Sequence, residues 1–280
     1  MEEDVQNLEN LGSNVNSLLT SRLPQIKKVN FRKEAFGEDA KNEKLKLLRK
    51  NYIVITIDQL HKISTHSNWN LTKRNGNIFI YNGCYWQLIE KEIFENFLGK
   101  VALKMGVDLL EAKYHQFQKD LYLQFLSQSF LEIQEIKNKV LINLKNGTLE
   151  ITAKGIILRE FSYTDFITYQ LPFNYDKNAE CKGLQEFLDD ILPDKSKQMV
   201  LAEYFGSVFI KSDILKLEKM LILYGEGANG KSVLFEIFNA IIGEENIANF
   251  SLENLTDRNG YYRAMIGQKL VNYASEISGK

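Results

Sequence analysis

The sequence predicts an α+β region of hairpins and helices, followed by part of an α/β core. Three observations support this fold class. β-prone runs meet at Asn-Gly pairs, which are the strongest short-range signal for a hairpin. Apolar residues three and four positions apart predict helices between these runs. After residue 212, an apolar run enters a glycine-rich turn that opens a helical stretch, which is the strand–loop–helix order of an α/β unit.

Length and composition are those of an ordinary globular protein. The 280 residues are 44% hydrophobic and 25% charged, with a net charge of −1, and the length suggests about two domains. Because the charge is balanced, a DNA-binding surface would have to be a local patch. Cys84 and Cys181 lie far apart without a histidine pair nearby, so the sequence predicts neither a disulfide framework nor a zinc site. The acidic N-terminus and the lack of a long apolar run predict a soluble, cytoplasmic protein without a membrane segment.

We predict four successive segments. Residues 1–50 are polar and charged, 51–135 form a hairpin with a helical subdomain, 136–212 precede the α/β core, and 213–280 begin that core. The basic run Lys41–Lys50 could touch phosphates, although a solvated helix face is the favoured interpretation. Near-helical spacing of apolar residues predicts a short N-terminal helix that contains Leu8, Leu11, Val15, Leu18 and Leu19.

The second segment is predicted to begin with strands. Tyr52–Thr56 is β-rich, and Asn77–Tyr81 and Cys84–Ile89 are joined by Asn82-Gly83, which predicts a hairpin. Aromatic residues of this hairpin could stack on nucleic-acid bases, but cross-strand packing is the favoured interpretation. These residues are Tyr81, Tyr85 and Trp86.

Helices follow in the same segment. Glu90–Met105 and Asp108–Ser129 carry apolar residues at helical spacing and predict a helical core. The three histidines, His61, His66 and His115, show no ligand constellation. The inward-facing residues of the second helical stretch are predicted to be Leu109, Leu110, Tyr114, Phe117, Leu121 and Phe125.

We predict a hairpin and two helices in the third segment. Val140–Ile151 turns at Asn146-Gly147. Helices are expected at Gly183–Leu192 and Lys195–Phe209, with Asp194 as the N-cap of the second.

The fourth segment contains a phosphate-binding motif. Gly225, Gly230, Lys231 and Ser232 match G-x-x-x-x-G-K-[ST], the P-loop pattern. Glycines let backbone N–H groups turn toward an anion, and the N-terminus of the following helix attracts negative charge. Lysine reaches the β- and γ-phosphates, and the serine hydroxyl coordinates Mg²⁺. We predict a nucleoside triphosphate site formed by Gly225, Glu226, Gly227, Ala228, Asn229, Gly230, Lys231, Ser232 and Val233.

The surroundings of the motif are predicted from the same pattern. Met220–Tyr224 is expected as the preceding strand and Val233–Ile242 as the following helix, capped by Gly243. Short helices are expected at Ser251–Leu255 and Tyr261–Ile266. Gln268–Glu276 is predicted as a buried strand that ends in an acid. An acid at this place can serve Mg²⁺ or the attacking water. A surface carboxylate is the alternative interpretation of Glu276.

Taken together, these motifs resemble the superfamily III helicases of phage and plasmid primase–helicase proteins. Asn229, directly before Gly-Lys-Ser, is characteristic of that group, and the resemblance covers roughly residues 78–280. It implies ATP and Mg²⁺ as cofactors, an AAA+-like P-loop NTPase core, DNA as the partner and assembly into a hexameric ring. The stretches that carry it are Gly225–Ser232, Lys269–Glu276, Asn143–Glu150, Asp165–Pro172 and Phe187–Leu192.

The resemblance also implies roles for single residues. Lys231 would bind the β/γ-phosphates as a catalytic residue, Ser232 would bind Mg²⁺, and Glu276 would act at the metal or polarise water. Ser275 stands where the family commonly has a second acid, so the division of labour at Glu276 is left open. The sequence ends at Lys280, before the sensor asparagine, DNA-contacting hairpin and arginine finger that the resemblance implies. We therefore expect an incomplete core that hydrolyses ATP weakly, within a parent enzyme that is an ATPase and DNA helicase.

Two other functions stay open at this point. One is a different P-loop enzyme, such as a small-molecule kinase or a remodelling ATPase, which would need a substrate pocket or lid. The other is a helicase-derived module that binds nucleotide without turnover and recognises DNA or a replication partner. Stimulation of ATP hydrolysis by single-stranded DNA would favour the helicase over both.

Overall fold

The protein has a mixed helix-and-sheet fold. The computed structural model describes residues 14–129, 138–211, 214–227, 229–267 and 269–274. The chain divides into two compact units. Met1–Ile133 and Ser162–Thr168 form the first, and Gln134–Phe161 and Tyr169–Lys280 form the second. Within the described residues, no helix is both long enough and apolar enough to cross a membrane.

Six helices and a three-stranded sheet make up the described part of the first unit. The sheet has the order β1-β2-β3 and is antiparallel throughout. The strands are β1 (Leu71–Arg74), β2 (Asn77–Tyr81) and β3 (Trp86–Ile89). The helices are α1 (residues 14–22), α2 (Phe31–Phe36), α3 (Arg49–His66), α4 (Lys91–Met105), α5 (Leu109–Lys113) and α6 (His115–Gln128).

The predicted strand at Tyr52–Thr56 is wrong, because these residues lie inside α3. Their β-branched side chains favour a strand locally, but propensity is a weak term that tertiary packing overrides. Buried positions of α3 at Ile57, Leu60 and Ser64 are three and four residues apart, the spacing of one helical face. Packing of that face into the core therefore decides the conformation.

Two adjacent hairpins build the sheet of the first unit. The predicted β2–β3 hairpin is confirmed, but its predicted turn is wrong. Tyr81 lies opposite Trp86, so residues 82–85 form the loop and Cys84 and Tyr85 are not part of β3. The β1–β2 hairpin was not predicted, although its turn also contains an Asn-Gly pair. Asn75 and Gly76 both have positive φ, 50° and 79°, as a type I′ turn requires.

The aromatic side chains of this sheet pack inside the protein. Tyr81 and Trp86 are 2% and 1% exposed and form a cluster with Phe79 and Phe166. Trp86 donates from Nε1 to the Tyr163 carbonyl at 2.8 Å. Burial raises the pKa of Tyr81 to about 12. Cross-strand packing is thus confirmed for Tyr81 and Trp86, which are too buried to stack on bases.

The helical core of the first unit is confirmed in part. Of the residues predicted to face inward, Phe117, Leu121 and Phe125 are fully buried. The remaining three, Leu109, Leu110 and Tyr114, are exposed, so that part of the prediction is wrong. The helix breaks at Tyr114, whose backbone is extended, and the break shifts the phase between α5 and α6. In the N-terminal segment, Val15 and Leu19 are buried as expected, whereas Leu8 and Leu11 lie outside the described residues.

The second unit combines an antiparallel sheet, helices and a small parallel pair of strands. The sheet has the order β4-β5-β6. Its strands are β4 (Lys139–Leu144), β5 (Gly147–Thr152) and β6 (Gly155–Arg159), and the parallel pair is β7 (Ile247–Ala248) with β8 (Val271–Asn272). The helices are α7 (Lys182–Ile191), α8 (Lys195–Ser207), α9 (Lys231–Ile242), α10 (Leu252–Leu255) and α11 (Tyr261–Ile266).

Most predicted elements of the second unit are confirmed. The β4–β5 hairpin closes with Leu144 opposite Gly147, so its loop lies one residue earlier than predicted. Asp194 caps α8 by accepting from the Ser196 N–H at 2.9 Å. The short helices α10 and α11 are also present.

Buried Asn246 connects three parts of the second unit. Its Nδ2 donates to the Ile242 carbonyl at 2.7 Å and to the Gln170 carbonyl at 3.2 Å. Its own carbonyl accepts from the Leu270 N–H at 2.8 Å. The end of α9, the chain beside β4 and the entrance to β8 thus meet around one amide. Around it lies a core of Leu144, Leu149, Leu171, Phe238, Ile242 and Ile247.

Two predicted strands differ from the structure. Met220–Tyr224 is not a strand, and Met220, Ile222 and Tyr224 are exposed. A strand needs hydrogen-bonded neighbours, and no described strand pairs with this run. In the predicted strand Gln268–Glu276, only Val271–Asn272 is β-structure among the described residues. The parallel-sheet core of a P-loop NTPase is therefore not seen in the described residues.

Candidate phosphate-binding site

The site is built at the first turn of α9. Gly230 has φ 84° and ψ −1°, the left-handed conformation, and α9 begins at Lys231 directly after it. The Gly230 carbonyl accepts from the Leu234 N–H at 2.9 Å, which closes the first turn. The first N–H groups of a helix have no partner within it. The N-terminus of α9 therefore presents donors and a positive dipole end at the glycine-rich loop.

Lys231 is held by oxygen atoms of the loop that precedes it. Its Nζ lies 2.9 Å from the Gly225 carbonyl, 2.9 Å from the Glu226 carbonyl and 2.7 Å from Oδ1 of Asn229. These contacts fold the loop around the ammonium group and use all three of its donors. The lysine and the asparagine of the motif are thus in direct contact.

Two glycines of the motif occupy places that a larger residue could not. A Cβ on Gly225 would clash with the Asn229 amide. A Cβ on Gly230 would lie 2.8 Å from Cγ2 of Ile191 and 3.4 Å from Cζ of Phe187. The positive φ of Gly230 adds a second reason for glycine there. Gly227 has open space around it instead.

The remaining predicted residues lie around the same turn. Ser232 and Val233 are exposed in the first turn of α9, and Glu226 is exposed in the loop. Ala228 lies outside the described residues, as do Ser275 and Glu276. Loop and helix residues of the predicted site thus come together, whereas the predicted acid lies beyond the described part.

α9 also contacts the chain that leads toward Glu276. Tyr273 stacks on Phe235 with ring centroids 3.8 Å apart. Phe235 lies one helical turn after Lys231. The side chain of Asn272 pairs with both backbone groups of Phe250 at 2.9 Å. The ring contact places Tyr273 beside α9, and the hydrogen bonds of Asn272 hold β8 next to Phe250.

Polar side chains connect α7 and α8 where the two helices meet. Lys195 forms an ion pair with Asp189 and, with help from Gln198, lowers the pKa of Asp189 to about 2. Gln198 also donates to the Leu192 carbonyl at 2.9 Å. The apolar stripe of α7 is half-buried, and it consists of Phe187, Leu188, Ile191 and Leu192. The sequence contains no signal that Phe187 and Ile191 lie beside Gly230, because that contact depends on tertiary packing.

The described residues hold no cluster of three or more His, Cys, Asp or Glu side chains that could bind a metal ion. Mg²⁺ in nucleotide sites needs few protein ligands, because phosphates and waters fill most of its coordination sphere. The exposed Ser232 hydroxyl is a suitable oxygen ligand. Among the described residues of the loop and the first turn of α9, Ser232 would thus supply the hydroxyl ligand for a magnesium–nucleotide complex.

The basic run Lys41–Lys50 belongs to the first unit. Arg49 pairs with Glu111 at 2.9 Å and lies 3.5 Å from Asp120. Its guanidinium also lies 5.6 Å from the Phe117 ring centroid. Arg49 is therefore engaged within the fold.

Comparison with known proteins supports the family resemblance of the residues that precede the glycine-rich loop. A family model described as D5 N terminal like matches residues 46–193, more than half of the chain. The chain belongs to the D5 N terminal like family. A second model, a family of unknown function designated DUF5906, matches residues 223–280 and so covers the glycine-rich loop and α9.

A viral protein is similar to part of this D5 N terminal like protein. The chain is 27% identical over 139 residues to "Putative helicase 121R" of Invertebrate iridescent virus 3. The match covers 48% of this chain and 14% of that protein. The chain thus corresponds to a small part of the viral relative.

Proposed function

We propose that this chain is part of an ATP-dependent DNA helicase of the primase–helicase type, with ATP bound at the start of α9. The observation that carries the proposal is the contact of Lys231 with Gly225, Glu226 and Asn229 at the N-terminus of that helix. Membership of the D5 N terminal like family and the name of the viral relative support the helicase assignment.

Phosphate recognition follows from the donors of this loop. The first turn of α9 and the Lys231 ammonium both lie beside the glycine-rich loop. An entering phosphate would replace loop oxygens as the acceptor for Lys231, because a charge-assisted bond to an anion is stronger than a bond to a neutral carbonyl. Asn229 would be released from the lysine in the same exchange. The position of Asn229 would therefore differ between the empty loop and the phosphate-bound loop.

Ser232 and Glu276 complete the proposed chemistry. When bound, Mg²⁺ neutralises charge that develops on the phosphates during transfer. Ser232 would hold the ion through its hydroxyl, and Glu276 would hold the ion or orient water. We further propose that the protein assembles as a ring around DNA.

The test of the helicase assignment is ATP hydrolysis by the protein that carries this chain, with and without single-stranded DNA. We expect the rate to rise several-fold with DNA, because a translocating motor couples hydrolysis to DNA contacts. Ser232→Ala should remove the stimulated rate through loss of the Mg²⁺ ligand, whereas Ser196→Ala, in a helix first turn of the same unit, should retain it.

Other outcomes would separate the alternatives. Phosphorylation of a small molecule without a response to DNA would identify a kinase and contradict the helicase proposal. Tight ATP binding without hydrolysis, at every DNA concentration, would identify a nucleotide-binding module instead. Either result leaves the phosphate site itself in place.

A further inference from the structure

Phe187 and Ile191 of α7 lie at the edge of the phosphate-binding loop. The nearest approach is to Gly230, where a Cβ would lie 2.8 Å from Ile191 and 3.4 Å from Phe187. Both side chains are half-buried. Apolar surface next to a strongly polar loop is thus left partly open to solvent.

α7 is arranged to keep this surface in place. The contacts among Asp189, Lys195 and Gln198 brace the α7–α8 corner on its polar side. No described residue of α7 is fully buried, although the helix carries the apolar stripe Phe187–Leu192. A half-buried apolar stripe on a braced helix is typical of a surface that receives something flat and apolar.

We propose that Phe187 and Ile191 form the subsite for the nucleobase of the triphosphate whose phosphates bind at Gly230 and Lys231. This inference rests on the proposed function, since it needs a nucleotide at the start of α9. The base of a nucleotide is the flat, apolar part of the ligand, and stacking on an aromatic ring tolerates any base. Phe187 supplies the ring, and Ile191 supplies the aliphatic contact beside it.

The subsite predicts a difference between ligands with and without a base. Phe187→Ala should raise the Kd of ATP about five-fold to a hundred-fold, the range expected for the loss of one base–aromatic stack. The Kd of inorganic triphosphate, which has phosphates only, should stay within about two-fold because Lys231 and α9 are untouched. Calorimetric titration of the full chain with each ligand, in the presence of Mg²⁺, measures both values.

Matched variants separate this role from packing. Leu188→Ala shortens a neighbouring apolar side chain of the same stripe, and we expect it to leave both Kd values unchanged. Phe187→Tyr keeps the ring and should keep the ATP affinity. Equal weakening of ATP and triphosphate by Phe187→Ala, or no weakening of either, would overturn the subsite while the phosphate site stands.

A spectroscopic variant covers the case in which Phe187→Ala does not fold. The two native tryptophans, Trp69 and Trp86, are buried in the first unit. In Phe187→Trp, ATP should quench fluorescence beyond the wild-type response, and triphosphate should not. Identical responses to both ligands would overturn the proposal. Failure of the wild type to bind either ligand would refute the proposed function and the subsite together.

Discussion

His61 is a half-buried histidine whose neutral form favours the folded first unit. Its Nε2 lies 2.7 Å from Oγ of Ser129, and its ring stacks on Phe125 with centroids 5.0 Å apart. Burial lowers the pKa of His61, and the charge of Asp58 offsets this only in part. The sequence alone identified no partner for this histidine, because Ser129 and Phe125 lie on another helix and its C-terminal end.

The depressed pKa of His61 makes stability depend on pH. The unfolded histidine, with a pKa of about 6.5, takes up a proton at higher pH than the folded one. The stabilisation is therefore present above about pH 6.5 and is lost as the pH falls toward the folded pKa. Urea unfolding at pH 7.5 and 5.5 should show a lower midpoint at pH 5.5.

Substitution assigns that pH dependence to one residue. His61→Gln should flatten the dependence, whereas His66→Gln, which changes an exposed histidine of the same helix, should preserve it. A wild-type midpoint that is equal at both pH values would contradict this interpretation.

At the level of elements, close packing of α4 against α5 and α6 depends on Gly99. A Cβ there would lie 2.5 Å from Nε2 of Gln118 and 2.8 Å from the Ala112 carbonyl. Gln118 also donates to that carbonyl at 3.0 Å. The helices could not approach this closely with a larger residue at position 99.

Gly99→Ala should destabilise the first unit by about 1–3 kcal/mol, the usual cost of overpacking a well-packed core. This outcome opposes helix propensity, which favours alanine by about 1 kcal/mol. Gly183→Ala is the matched control, since that helical glycine has open space around it, and it should be neutral or stabilising. If urea unfolding shows Gly99→Ala to be as stable as the wild type, the packing account is wrong.

Local signals predicted elements well where they agreed with the packing. The periodicity of Glu90–Met105 corresponds to α4, and Asp194 marks the start of α8 as its capping chemistry indicates. Local signals failed at Tyr52–Thr56, where burial of a helical face outweighs β-branched side chains. They also failed at Met220–Tyr224, because the sequence of a run does not supply the neighbours that a strand needs.

At the scale of the whole molecule, contacts distant in sequence define the units. Ser162–Thr168 joins the first unit although the residues on both sides belong to the second. Phe166 then completes the aromatic cluster on the sheet, stacking on Trp86 with centroids 5.3 Å apart. In the second unit, the Leu171 N–H donates to Asn143 at 2.8 Å beside β4. Neither the placement of Ser162–Thr168 nor the Leu171–Asn143 hydrogen bond has a short-range sequence signal, so the sequence could not predict them.

The candidate site also has a part that local sequence signals predict and a part that they do not. A contiguous motif predicted the loop residues, and the structure brings Gly225, Asn229, Gly230 and Lys231 together because they are neighbours in the chain. The contact of α7 with Gly230 arises from tertiary packing and could not be predicted. The role of Glu276 stays a prediction.

Binding of a labelled ATP analogue to the wild type and to Lys231→Ala tests the central claim most directly. We expect the substitution to weaken binding by about a hundred-fold or more, because it removes charge-assisted bonds to the phosphates. Lys219→Ala, which removes an exposed lysine of the same unit, should bind like the wild type. Equal affinity of Lys231→Ala and the wild type would contradict the assignment of this loop as a nucleotide site.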